Sequence, residues 1–478
     1  MKATAIVWFR QDLRLRDNPA LDYARNHYDH VIPLYIWDEK GEQPWAPGGA
    51  SRWWLHHSLQ ALDDSLQRRD SRLLIRSGDS EDVLRDLIDQ TKASAVLWNR
   101  RYEPHIIGRD KQLKQSLKDN DIEVKSFNGS LWWEPWELET TAGDPYKVFT
   151  PLWKRMLKEW RLPEILPRPR SLSLPRGCPK GDKLDSLALL PERDWADAFA
   201  EFWEPGEDAA KRHLETFLQE RASDYQDERD IPAEDGTSRL SAHLHFGEVS
   251  PGQVVAAAAT ETGEPPSNKG TLGFVREIAW REFSTHLLYH FPHTTDEPMN
   301  DKFAGFPWRK DYQQHLKAWQ RGRTGVPIVD AGMRQLWHCG WMHNRVRMLV
   351  ASYLTKNLLI PWQEGAQWFW DTLVDADLGN NTQGWQWTAG CGADAAPYFR
   401  IFNPVTQGER FDPQGEYVRQ WVPELQKLPA KYIHQPWSAP AEILNKLDLK
   451  LGRDYPKPMV DLKATRERAL EKYQSLKS

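Results

Sequence analysis

The first 130 residues alternate between two patterns, and the rest of the chain does not. Apolar runs at 4–8 (TAIVW), 31–37 (VIPLYIW), 73–75 (LLI), 95–98 (AVLW) and 122–127 (IEVKSF) have the length of buried strands. Helical patterns lie between them, from Pro19 to about Asn26, Ser51 to Arg69, Ser80 to Lys92 and Ile106 to Lys118. Asn18-Pro19 and Asp79-Ser80 supply helix starts: a short polar side chain accepts from orphan N–H groups, and proline at the first position loses no needed donor. Such alternation predicts an α/β, doubly wound parallel sheet over 1–130. No G-x-G-x-x-G follows the first strand, which argues against a dinucleotide site there.

From 131 to 200 the pattern dissolves and prolines crowd 163–185, which predicts a long interdomain linker. Beyond it strand signals almost vanish. Segments 194–222, 251–261, 271–291, 328–338, 341–356 and 364–374 read as helices. The expected second domain, 201–478, is all-α and ends in a charged helix with no long tail.

Composition narrows the function classes. A formal charge of −5 excludes a globally basic nucleic-acid binder, so any such contact needs a local patch. Three distant cysteines, Cys178, Cys339 and Cys391, exclude a CxxC metal site, an iron–sulfur cluster and a disulfide framework. The N-terminal apolar run is too short for a signal peptide, and no run approaches the roughly 18 apolar residues of a membrane span. A cytoplasmic protein that contacts no membrane is expected. The 25 tryptophans need more explanation. Most serve cores, but Trp362, Trp368, Trp370, Trp385 and Trp387 crowd one stretch beside polar groups, as a planar cofactor or stacked bases would require.

Four motifs carry chemistry. GTSRLSAHLHFGEVSP (Gly236–Pro251) puts hydroxyls and backbone N–H groups at a loop-to-helix boundary, which suits a phosphate as well as an ordinary cap. In REIAWREFSTHLLYHFP (Arg276–Pro292), Glu277 and Trp280 share a helical face and Arg281 lies one turn beyond Glu277. In GWMHNRVRMLVASYLTK (Gly340–Lys356), Asn344 and Met348 share a stripe, as do Arg345 and Leu349. No Asp or Glu occurs from Ala331 to Gln363, so Arg334, Arg345, Arg347 and Lys356 form a candidate basic patch, unless distant acids pair with them. The fourth is DTLVDADLGNNTQGWQWTAGCGADAAPYFRIFNPVTQGERFD. Asp375 and Asp377 have no third oxygen or His ligand nearby, so no metal is expected. Trp385 and Trp387, read as an extended segment, point to opposite sides, one toward a cofactor and one toward a substrate.

Together with WFRQDLRLRDNPAL (Trp8–Leu21), these motifs resemble the DNA photolyase/cryptochrome family over nearly the whole chain. The resemblance implies an antenna-binding α/β domain and a helical domain that holds FAD. It implies light-driven repair of cyclobutane pyrimidine dimers in UV-damaged DNA by electron transfer to a flipped-out lesion. Tyr225, Thr237, Ser238, Leu240, Ser241, Arg281, Arg347, Asp375, Asp377 and Asn381 are the implied FAD contacts. Glu277, Trp280, Asn344, Met348 and Trp387 are the implied lesion pocket. Trp385, Trp362 and Trp308 form the implied electron relay, with Trp368 and Trp370 as competing members. Arg229, Arg345 and Arg400 are the implied contacts to DNA phosphates.

Within the family, (6-4) photolyases carry two histidines where this chain has Asn344 and Met348, so the cyclobutane dimer is the implied lesion. Plant cryptochromes carry Asp at the position of Asn381 and usually add a tail; a blue-light receptor of that type is the alternative. The Thr382-Gln383-Gly384 run, with GGASRWWLHHSL (Gly48–Leu59) and AGCGADAAPYF, looks closer to the bacterial class III group. The antenna implied is methenyltetrahydrofolate stacked on an aromatic such as Trp37, with a deazaflavin, a second flavin or an empty site as alternatives. A monomer is expected.

Overall fold

The computed structural model describes residues 3–191, 194–395 and 399–476. Its sheet has five parallel strands: β1 (Thr4–Phe9), β2 (His30–Trp37), β3 (Leu74–Ser77), β4 (Ala95–Asn99) and β5 (Glu123–Phe127). They lie in the order β3-β2-β1-β4-β5, with Val7 opposite Pro33 on one side and Leu97 on the other. All five expected strands are present because a parallel strand covered on both faces is a continuous apolar run. Alternate β1 residues enter different cores. Ala5, Val7 and Phe9 meet α1 (Pro19–His27) and α2 (Gly49–Gln67). Ile6 and Trp8 meet α3 (Ser80–Thr91) and α4 (Pro104–Lys118). Asn18 and Asp79 cap α1 and α3 through their side chains, as their positions predict.

The face carrying α2 is also the joint to the helical half. Phe246, Trp341 and Val374 share its core with Trp54 and Leu59. Trp54 Nε1 donates to Glu248 at 3.1 Å, and the same carboxylate oxygen accepts from the Gly206 N–H at 2.7 Å. The WFRQDLRLRDNPAL motif builds this joint. Arg14 is completely buried and donates to the carbonyls of Asp17, Gly129 and Gly247. Leu15 and Arg16 donate their N–H groups to Glu207, each at 2.9 Å.

The stretch 131–200 carries more than irregular chain. The Trp132 and Trp133 N–H groups both donate to Glu282 at 3.0 Å. α5 (Phe149–Lys158) then buries Phe149, Leu152 and Met156 against Ile278 and Phe283 of the helical half. Its apolar stripe is a helix signal, masked by Pro151 in the first turn and by the prolines that follow from 163.

The helical half is built around helices Lys269–His290, Pro327–Cys339, Asn344–Ser352, Trp362–Thr372 and Leu378–Ala389. The last corrects the extended reading of Trp385 and Trp387. Asp377 caps it by accepting from the Asn380 N–H at 2.8 Å, and Gly390, at φ 86°, ends it. Glycine tolerates that left-handed turn, so the helix had start and stop signals. Its interior hid them: it is buried on most sides and shows no polar face. Lys356, in the π-helical turn Tyr353–Asn357, donates to the Ala389 carbonyl at its C-terminal end.

Candidate functional site

A cavity of about 740 Å³ opens between these helices. Its deep side is formed by the Leu378–Ala389 helix and the turn before it. Asp375 binds Arg347 at 2.8 Å through Oδ2, and Arg347 Nε donates to the Met342 carbonyl at 2.7 Å. Asp375 Oδ1 and Gln383 Nε2 are buried and have no partner among the described residues, although both side chains line the cavity. Burial pushes the Asp377 pKa up, but the His245 ring 4.0 Å away, the charge of Arg281 and the Asn380 N–H overcome it and hold the group at about 2. Asn381 donates its side-chain N–H to the Ala366 carbonyl at 3.0 Å. That leaves the amide oxygen as the acceptor it offers the cavity.

Thr237, Ser238, Leu240 and Ser241 line one side. Arg239, at φ 49°, turns the loop there, and Ser241 opens a short helix, Ser241–His245. Tyr225 lies against Phe274 with ring centroids 5.9 Å apart, and burial raises its phenol pKa. Arg281 lines the cavity and anchors to the Ser130 carbonyl at 2.9 Å.

Three helices bring the implied lesion residues together. Glu277 and Trp280 come from Lys269–His290, Asn344 and Met348 from Asn344–Ser352, and Trp387 from Leu378–Ala389; all five line the cavity. Trp280 stacks on Phe149 of α5 with centroids 3.7 Å apart. Glu277 forms a short ion pair with Arg229. His343 precedes Asn344 and accepts from the Arg345 N–H at 3.1 Å, which requires a neutral ring. Burial, then the charges of Arg345 and Arg347, lower its pKa to about 4 despite Asp230.

Residues two apart on a helix differ by about 200°. Trp385 is therefore buried against Phe369 and Trp319, at 5.0 and 6.1 Å, while Trp387 remains partly exposed. Trp362 is buried in the same core, and Trp308 is half-buried on Phe306 at 4.4 Å. The competing relay members, Trp368 and Trp370, pack against the same core and also make contacts outside it. Trp368 stacks on Trp337, and Trp370 meets Trp45 and donates to the Ala46 carbonyl.

The acid-free stretch finds its acids at a distance. Arg334 pairs with Glu424, Arg345 with Asp230 and Arg347 with Asp375, while Lys356 is buried. The patch expected from local sequence is therefore largely neutralised by the fold. Arg400 is exposed and lies over Phe402 at 4.7 Å. Ala396–Tyr398 of the AGCGADAAPYF run lie outside the described residues.

Sequence reasoning missed Phe149, His245, Phe369 and Gln383. It also missed a second cavity of about 860 Å³, lined by Trp337, Trp368, Trp421, Lys317 and Arg321. Trp337 is 48% exposed and lies parallel to Trp368, with planes 5° apart and centroids 5.8 Å apart. Trp37, the aromatic expected to carry an antenna, is only 7% exposed and lies beneath Arg52 at 5.3 Å.

A parallel-sheet domain joined to a helical half with a polar-floored, tryptophan-walled cavity defines a two-part protein with a site suited to a planar ligand. Residues 274–475 match the FAD binding domain of DNA photolyase, and residues 5–170 match the DNA photolyase domain. The chain belongs to the DNA photolyase/cryptochrome family. It is 51% identical to a deoxyribodipyrimidine photo-lyase of Agrobacterium fabrum over 99% of this chain and 98% of that one. It is 39% identical to cryptochrome-2 of Arabidopsis thaliana, over 98% of this chain and 78% of that one. The structure of a bacterial class III photolyase from Agrobacterium tumefaciens superposes with a TM-score of 0.95 at 50% identity, covering 100% of this chain and 98% of that one.

The cavity fits FAD. The unpartnered Asp375 Oδ1, the Asn381 amide oxygen and Gln383 Nε2 offer acceptors and a donor to a cofactor edge that carries both.

Proposed function

We propose that this protein repairs cyclobutane pyrimidine dimers in DNA with light and FAD. One observation carries the reading: Glu277, Trp280, Asn344, Met348 and Trp387 converge on the same cavity as the polar groups that suit FAD. Bound and reduced, FAD supplies a photoexcited electron that splits the cyclobutane ring and is returned, so the reaction has no net redox change. Trp280 and Trp387 offer apolar faces to a flipped dinucleotide, whose extrusion is cheapened by the damage. Glu277 exchanges part of its pairing with Arg229 for a pyrimidine N–H, and Asn344 bonds the neighbouring edge. Met348 fills the slot between them. Arg229, Arg345 and Arg400 lie toward the flanking phosphates, the first two with acidic partners that phosphate must displace. Trp385 and Trp362, in one core, and the half-buried Trp308 packed against it would pass an electron from an external reductant inward to oxidised FAD. His343 is neutral and held by its cap, so it supplies no proton to the lesion. That favours the cyclobutane dimer over lesions that need acid catalysis.

The test is direct. Protein reduced without oxygen is mixed with an oligonucleotide that holds one thymine dimer, and thymine absorbance is followed. Recovery under blue light and none in the dark is expected. No recovery in light, with reduced FAD verified, would overturn the reading.

We infer that the antenna occupies the second cavity rather than a site at Trp37. The parallel Trp337–Trp368 pair offers planar faces, and Lys317 and Arg321 offer charge to the carboxylates of methenyltetrahydrofolate. Trp337→Ala is expected to remove the folate absorbance band while FAD is retained. An unchanged band would place the chromophore elsewhere.

A further inference from the structure

We propose that Phe149 is a positioning residue for lesion recognition, acting through Trp280; the inference rests on the repair reading above. Phe149 belongs to the stretch that joins the two halves, outside every motif that marks the cavity. It is the first residue of α5 and is fully buried. Its ring lies nearly parallel to Trp280, 12° between planes, and meets Phe283 edge-on at 5.8 Å. The Arg276 guanidinium lies 5.4 Å from its centroid. The carboxyl of Asp394, which itself lines the cavity, lies near its backbone N–H and near Arg276. One residue thus lies between two walls of the pocket: its ring packs on the Lys269–His290 helix, and the segment after Gly390 meets the same core at Ala393.

The consequence concerns the indole of Trp280. Phe149 covers one face of it, which leaves the other for a base. A stacked ring in a packed core removes indole rotamers before the ligand arrives, and preorganisation strengthens binding by lowering the ordering cost. Leu152 and Met156, one and two turns along α5, anchor Phe149 in the same core. The joining stretch therefore sets the shape of the lesion pocket.

The test compares Phe149→Leu, Phe149→Tyr, Trp280→Ala and the double variant Phe149→Leu/Trp280→Ala as FAD-loaded protein. Affinity is measured in the dark for an oligonucleotide with one thymine dimer and for the same oligonucleotide undamaged. For Phe149→Leu, roughly two- to ten-fold weaker dimer binding is expected, the size of one lost aromatic pair. Undamaged binding, flavin content and melting temperature should change little. Phe149→Tyr should restore dimer binding, and Phe149→Leu should cost nothing further when Trp280 is already Ala. Equal loss for both oligonucleotides, or an additive double variant, would overturn the proposal and leave Phe149 as core packing. Should unmodified protein fail to prefer the dimer, the repair reading falls first, and the two failures are distinguishable.

Discussion

Two regions of this molecule bury asparagine, aspartate and arginine together, and they treat them differently. In the sheet half, Asn99 Nδ2 bonds Asp12 at 2.6 Å and Asn18 at 2.9 Å, while Arg14 reaches three carbonyls. Each of these side chains closes on the protein itself. In the helical half, Asp375 keeps one oxygen and Gln383 its amide nitrogen without partners, and Asn381 turns its oxygen to the cavity. A buried polar group without a partner costs roughly 1–3 kcal/mol. The first set is therefore a clasp. The second carries a standing cost that a ligand removes.

The contrast breaks if removing a member of the clasp harms only cofactor binding. Arg14→Met is expected to lower unfolding stability by about 3–5 kcal/mol, because three buried carbonyls lose their donor. Urea unfolding should show the same loss in FAD-free and FAD-loaded protein. Gln383→Leu sharpens the other side. FAD-free protein should gain up to about 1 kcal/mol, read by thermal unfolding, while FAD affinity falls roughly ten-fold, read by flavin fluorescence titration. A loss of FAD-free stability would mean that Gln383 is bonded within the protein after all.

Glu282 lies between the two cases. Its carboxylate accepts from the Trp132 and Trp133 N–H groups, yet burial pushes its pKa up to about 7, against the charge of Arg281 and those bonds. The folded protein therefore holds this proton more tightly than the unfolded chain, whose Glu titrates near 4.5. The stability it confers is full below about 4.5, falls as pH rises and is lost through about 7. Glu282→Gln should flatten that part of the pH–melting profile and raise the melting temperature at pH 8 by about 2 °C. An unchanged profile would show that the charged form is as well housed as the neutral one.

The sheet was legible in the sequence for a physical reason. Five covered strands are five apolar runs, and Asn18 and Asp79 announce the helices between them. The site was legible as motifs, and the fold brings Glu277, Trp280, Asn344, Met348 and Trp387 to one cavity. Three things were not legible. The Leu378–Ala389 helix has Asp377 and Gly390 at its ends but no amphipathic stripe, because protein surrounds it. The acids that answer Arg334 and Arg345, Glu424 and Asp230, lie far away along the chain. Trp337 and Trp368 sit on different helices, so no local window shows them parallel.

The core shared beneath α2 bears on inheritance. Trp54, Phe246, Trp341 and Val374 interlock there, and Arg14 crosses from one half to carbonyls on both sides. The sheet half is therefore no cassette. A graft from a relative would have to bring matching partners for Glu248 and Glu207, so the two halves are constrained to diverge in step.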